Sequence, residues 1–297
     1  MIYLIAGIIA KVLIFLAFRT FSIFKIDNLQ AIVVNYFVCV IASIIFAGDP
    51  QVLLSVDLFT PWALAAVILG LLLVIGFYAA TITAQRMGVS ITSVASKMSM
   101  VFPIMFSLFF MKIEGMRFSV FNYLGMSLAV LSIYLGSLRE GNDHKITLSK
   151  KHMLLFPFTV FLVGGLIDIT INYSNNYLID VTNHGTFPLV LFVAAALFGS
   201  LLMVFQKKKL EARSLIGGLY LGISNYFSLY FVLKALTFFQ NNGAVFYPIY
   251  NVGIILLSSV LAMIFFGERL SRINYLGLIL SILALFLLSH QEIIDYF

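Results

Sequence analysis

The apolar residues of this chain fall into ten runs of 17 to 24 residues, near 2–18, 29–47, 62–84, 89–111, 118–138, 153–173, 186–205, 214–234, 243–266 and 273–289. A helix of that length crosses a hydrocarbon core of about 30 Å. Lipid offers no partner to backbone N–H and C=O groups, so only helices and closed barrels survive there. Runs of this length are far longer than barrel strands, and the expected class is all-α. Composition agrees: 62% of the 297 residues are hydrophobic, 10% are charged and mean hydropathy is +1.08. A soluble domain of this size cannot hide that much apolar surface. Breakers fit the runs, with Gly48-Asp49-Pro50 after the second, Thr60-Pro61 opening the third and Asn241-Asn242-Gly243 before the ninth.

The second half repeats the first. Asn122-Tyr123-Leu124-Gly125 recurs as Asn274-Tyr275-Leu276-Gly277, an offset of 152. At the same offset Leu69-Gly70 matches Leu221-Gly222, Tyr78 matches Tyr230, and Gly125/Ala129 matches Gly277/Ser281. The expected organisation is a first five-helix unit over 1–138, a polar connection over 139–152 and a second five-helix unit over 153–297. An odd number of spans per unit inserts the second copy upside down. Inverted repeats of this kind are typical of secondary transporters.

Charge sets a direction. The odd-numbered loops carry Arg19, Lys25, Arg86, Arg139, Lys145, Lys150, Lys151, Lys207, Lys208, Lys209, Arg213, Arg269 and Arg272, against Lys112 and Arg117 in the even-numbered loops. Positive residues stay inside, so the odd loops are expected in the cytoplasm and both termini outside a cell (inner) membrane. The net charge of +6 is thereby explained as topology, with no nucleic acid implied. The first residues, Met1-Ile2-Tyr3-Leu4, read as the start of a span rather than a leader. One cysteine, Cys39, and four scattered histidines offer no disulfide framework and no metal-ligand spacing, so neither metal nor cofactor is expected.

The turn Phe265-Phe266-Gly267-Glu268-Arg269-Leu270-Ser271, followed by Asn274-Tyr275-Leu276-Gly277, resembles the EamA family of the drug/metabolite transporter superfamily. The first copy, Ile113-Glu114-Gly115-Met116-Arg117-Phe118-Ser119, keeps the glutamate but is two residues longer. The stretch from Gly88 through Pro103 is similar to the same pattern. The resemblance implies ten helices in two inverted repeats around a central cavity. Spans 1–4 and 6–9 would line it, and spans 5 and 10 would pack outside. It also implies cytoplasmic termini, the reverse of what the charge bias predicts.

Polar groups inside a membrane are costly and need a partner or a wet cavity. Lys11 lies in span 1, Lys97 in span 4, Asp168 in span 6 and Lys234 at the end of span 8. Helical spacing adds Tyr78, Thr81 and Gln85 in span 3, and Ser93 and Ser96 beside Lys97 in span 4. It adds Asn225, Tyr226 and Tyr230 in span 8, and Tyr247, Asn251 and Ser258 in span 9. Asn172 ends span 6 in an amide- and tyrosine-rich exit. The candidate cavity-lining set is Lys11, Tyr78, Ser96, Lys97, Asn172, Asn225, Tyr226, Tyr230, Tyr247 and Asn251. The competing reading of each is interhelical hydrogen bonding, and for Asp168 an ion pair with a lysine. Asp168, the one acid well inside a span, is the candidate for ion coupling. Pro103 and Pro248, expected to break spans 4 and 9, are candidates for gating. Gly125/Ala129 and Gly277/Ser281 are assigned to close helix packing, with dimer contact second.

These features predict a secondary active transporter, not an enzyme, moving small organic metabolites by alternating access, with export the expected direction. Three in-membrane lysines against one aspartate tilt the solute toward amino acids or related anionic or zwitterionic compounds. No Gly-rich phosphate loop is present for direct ATP use. Partners are the solute and membrane lipid, the chain being a monomer or homodimer. An integral membrane enzyme of lipid-precursor metabolism would need clustered carboxylates or histidines at a boundary. A sensor or scaffold would be expected to add a soluble domain.

Overall fold

The computed structural model describes residues 1–47, 56–106, 119–138, 150–179, 186–206, 210–238 and 243–290. These residues form helices α1 (Ile2–Ile23), α2 (Asn28–Ala47), α3 (Pro61–Met87), α4 (Val89–Met98), α5 (Val101–Phe106) and α6 (Val120–Ser137). Then follow α7 (Lys150–Tyr177), α8 (Thr186–Gln206), α9 (Ala212–Phe238), α10 (Gly243–Phe266) and α11 (Arg272–Leu288), with no strand among the described residues. Eight of these helices are long and apolar enough to cross a membrane, and α11 is a shorter apolar helix. The chain is thus an all-helical, multi-pass membrane protein.

Local chemistry sets the helix ends. Asp27 accepts from the N–H groups of Leu29 and Gln30 at 3.1 and 3.2 Å and so opens α2. Thr60-Pro61 opens α3 with proline at the first helical position. Ser119 and Asn122 make a capping box on α6, and Ser271 and Asn274 make the same box on α11. The two boxes stand 152 residues apart, the offset of the sequence duplication.

The same pair of helices packs reciprocally. Asn122 donates to the Leu288 carbonyl at 3.3 Å, and Asn274 donates to the Gly136 carbonyl at 2.9 Å. A Cβ on Gly125 would meet Leu288 and Ala284, and one on Gly277 would meet Gly136 and Ser132. The start of each helix thus lies against the end of the other, so α6 and α11 run antiparallel. The small residues let their backbones touch. The Gly125 and Gly277 faces are therefore spent within the chain.

Elsewhere each third helix packs on the first two helices of the other half: α3 on α7 and α8, α9 on α1 and α2. Gly70 seats α3 against Ala194 and Ala195, and its counterpart Gly222 seats α9 against Val38 and Asn35. Between these layers α1, α4, α7 and α10 close around the centre, with α1 on α10, α4 on α7 and α4 on α10.

Of the two expected proline breaks, the structure has the one in the fourth run and lacks the one in the ninth. The fourth run is not one helix: it ends at Met98, turns through Ser99 and Met100, and restarts at Val101. Proline 103 has no N–H for the carbonyl four residues back, that of Ser99, and the break falls there. Phe102 N–H takes that carbonyl instead, at 2.9 Å. Pro248 does not break its helix; α10 runs from Gly243 to Phe266 through it. Pro248 lies within the first two turns, where the carbonyl it deprives is Ala244 beside a helix end. Residues 113–118 of the first Glu-bearing turn and the 139–149 connection lie outside the described residues.

Candidate functional site

Three ionisable side chains from three helices converge at the centre. Lys11 of α1, Lys97 of α4 and Asp168 of α7 lie within electrostatic range of one another, and Tyr247 of α10 is in range of the same carboxylate. All three charged side chains are half-buried. Lys97 Nζ stands 5.5 Å from the centroid of the Tyr250 ring, a cation–π distance. Tyr250 stacks on Phe246 at 5.3 Å, and its hydroxyl points to the Gly7 carbonyl of α1 at 3.5 Å. Among the described residues neither ammonium has a hydrogen-bond acceptor, and neither makes a direct ion pair with Asp168.

The helix break supplies the carboxylate's partner. Ser99 Oγ lies 2.6 Å from Asp168 Oδ2 and 2.7 Å from the Ser96 carbonyl. A hydroxyl has one proton to give, so Asp168 and the Ser96 carbonyl compete for it unless a proton sits on the carboxylate. Gly164 and Gly165 place α7 here: a Cβ on Gly164 would lie 3.0 Å from Ser99, and one on Gly165 would run into the Phe102 ring. Asp168 follows Gly164 by one helical turn and so faces the same break. On the other side Asn251 of α10 donates to Met100 Sδ at 3.5 Å, and Ser258 donates to Ser93 Oγ at 2.7 Å. Sequence reasoning missed Ser99. Its signal is its place four residues before a proline in a span.

One end of the bundle is sealed by a polar network. Arg19 at the end of α1 donates to the carbonyls of Ala84 and Gln85 at the end of α3. The amides of Gln85 and Asn28 pair reciprocally at 2.8 and 3.3 Å, and Gln85 also donates to the Phe18 carbonyl at 3.2 Å. Asp27 N–H donates to Ser214 of α9 at 3.2 Å, and Glu211 N–H donates to Gln30 Oε1 at 3.0 Å. Glu268, in the turn after α10, accepts from Val89 N–H at 2.6 Å, Ser90 N–H at 3.3 Å and Ser90 Oγ at 2.9 Å, capping α4. The glutamate sits under Gly88, whose φ of +107° suits glycine alone. All of these residues belong to, or flank, the odd-numbered loops. At the same end α1 packs on α3.

The remaining candidates divide. Ser96 and Asn251 stand beside the charge cluster, Ser96 half-buried and Asn251 buried. Asn172 lies one turn beyond Asp168 on α7, half-buried. Tyr247 is in range of Asp168 yet keeps 43% of its surface exposed. Tyr226 and Tyr230 join an aromatic group with Phe46 and Phe227. The exposed Lys234 sits 5.8 Å from the Tyr230 ring. Asn225 serves packing: its amide donates to Asn35 Oδ1 at 3.2 Å and Cys39 Sγ at 3.5 Å, joining α9 to α2. Tyr78 is 40% exposed and lines a surface hollow of about 300 Å³ with Lys25, Asn28 and Gln85 at the sealed end.

Known proteins add little to this geometry. No known protein family matches the sequence. The chain is 30% identical over 139 residues to an uncharacterized protein of Haemophilus influenzae, a match covering 44% of this chain and 47% of that relative. The match therefore spans about half the length of the curated relative. A solved crystal structure of a protein aligns over 98% of both chains at 12% identity, with a TM-score of 0.54. That likeness concerns the fold alone and takes in the whole chain.

Proposed function

We propose that the chain is a secondary active transporter of small organic metabolites, amino acids or related anionic or zwitterionic solutes, exporting them by alternating access. In this reading α4 and α5 form one broken span and α11 the last, giving ten spans in two inverted five-helix repeats of the EamA type. The reciprocal capping and glycine contacts of α6 and α11 support that symmetry. The observation that carries the function is a cluster of ionisable groups at the centre of the bundle, beneath an end that is fastened shut. Two pairs of equivalent helices, α1 with α7 and α4 with α10, surround polar groups at the centre. Among the described residues the odd-loop end is fastened by Arg19, Asn28, Gln85 and Glu268. Exchanging the sealed end is how inverted repeats carry a solute past a fixed central site. By the positive-inside rule the sealed end faces the cytoplasm. Ser99 and Asp168 stand at the helix break, where a flexing span meets an ionisable group, so Asp168 remains the coupling candidate.

The test is untargeted metabolite profiling of medium and cell extract. It compares cells making the wild type with cells making a Lys97→Ala/Asn251→Ala variant at equal membrane abundance. A few related solutes moving between compartments only with the wild type is the expected result. Identical shifts in both would keep transport and remove this site; no shift in either would remove transport.

A further inference from the structure

The central cluster has a charge count that identifies what it lacks. Two lysine ammoniums, Lys11 and Lys97, face one carboxylate, Asp168. Lys97 has the Tyr250 ring beside it, and among the described residues Lys11 has no neighbour of opposite sign except the same aspartate. With both lysines protonated, at least one ammonium inside the membrane lacks a counter-charge from the described residues, whatever the protonation of Asp168. An isolated ion in such a place is costly, and the cost is relieved by a counter-ion or by water. Lysine, a compact point charge with three donors and no acceptor, suits an oxyanion. On the α10 side the Tyr250 ring stands beside Lys97, backed by the buried Phe246, with Asn251 next in the chain as a neutral hydrogen-bonding group. A bare inorganic ion has nothing to set against the Tyr250 ring, whereas an organic body behind a carboxylate does.

We infer that the central site takes a small organic anion with one carboxylate, seated between Lys11 and Lys97 and supplying the missing negative charge, with its organic body against Tyr250. The inference rests on the transporter reading for its purpose but not for its chemistry. Asp168 is the competing anion. It is tied back to Ser99 at 2.6 Å and so held off the lysines, leaving them for the solute. A zwitterionic solute would place its ammonium toward Asp168.

Binding is measured on the full-length protein in phospholipid nanodiscs, by thermal stabilisation at matched ionic strength. The probes are sodium acetate, benzoate and L-glutamate, each against its amide (acetamide, benzamide, L-glutamine), with sodium chloride as the inorganic arm. At least one carboxylate is expected to stabilise the wild type in a saturable manner, and its amide at least tenfold more weakly. Lys97→Gln and Lys11→Gln should each weaken that carboxylate at least tenfold, while Lys97→Arg keeps most of the affinity and controls for folding. Equal effects of acid and amide overturn the inference. So do glutamine variants that bind as the wild type does, chloride matching the carboxylates, or no carboxylate stabilising at all. Carboxylate binding in a protein that moves no solute would leave the anion site standing and remove transport. Transport of neutral or cationic solutes alone would do the reverse.

Discussion

Glu268 offers the sharpest perturbation of the sealed end. Its carboxylate accepts two backbone N–H groups and one hydroxyl at the start of α4, at 2.6, 3.3 and 2.9 Å. Removing an N-cap acceptor costs about 0.5–2 kcal/mol. Hydrogen bonds to a charged group contribute about 1.5–3 kcal/mol. The glutamate is partly exposed, which keeps the sum near the lower figures. About 2 kcal/mol is the working value for Glu268→Ala, and at 1.4 kcal/mol per decade that is about thirtyfold in an equilibrium constant. If these bonds exist only while the odd-loop end is closed, the open population rises by that factor. Ser93 reports it, being buried between α4 and α10 with its hydroxyl accepting from Ser258 at 2.7 Å. In a Cys39→Ala, Ser93→Cys background in proteoliposomes, maleimide labelling should accelerate roughly thirtyfold with Glu268→Ala and about fivefold with Glu268→Gln. An unchanged labelling rate in a Glu268→Ala protein that unfolds at a normal temperature would refute the reasoning.

Two further outcomes test the packing. Gly277→Val puts side-chain atoms where backbone already stands, a Cβ being 2.8 Å from Gly136 N and 2.9 Å from Ser132 O. Overpacking of this kind costs about 1–3 kcal/mol, so the thermal midpoint of the purified protein should fall. An unaltered midpoint would contradict the close α6–α11 approach. Asn225→Leu strips Asn35 Oδ1 of its 3.2 Å donor and should cost about 1–3 kcal/mol. Changing both Asn35 and Asn225 to Leu should recover most of the loss, and a double variant no better than the single would show that the pair is not what binds α2 to α9.

Several levels of the protein were legible in its residues, each for a physical reason. Long apolar runs can only be spans, and the repeated Asn-Tyr-Leu-Gly marked two helices that begin with the same Ser/Asn capping box. Lys11, Lys97 and Asp168 stood out because charge in a span is costly, and they do gather. Helical spacing was a poorer guide, since it names a face without saying which neighbour that face meets. It named Asn225 and Tyr226 as cavity lining, yet both meet α2, Asn225 through Asn35 and Tyr226 through Phe46. Tyr78 and Gln85 share a stripe that leads to the sealed end rather than the centre. Arg19 read as a topology signal alone, because its partners at Ala84 and Gln85 lie 65 and 66 residues away and no local pattern links them. The two prolines looked equivalent, but one deprives a mid-span carbonyl and the other a carbonyl at a helix start.

The central claim is that the fastened odd-loop end must open for a solute to pass. Asn28 and Gln85 exchange amide hydrogen bonds across that end at 2.8 and 3.3 Å. An Asn28→Cys/Gln85→Cys protein without Cys39 is therefore bridged by a short, reducible bis-thiosulfonate reagent, and movement of the profiled solutes is followed before bridging, after it and after reduction. The account predicts that transport stops on bridging and returns on reduction. Solutes moving at the full rate through the bridged protein would contradict it.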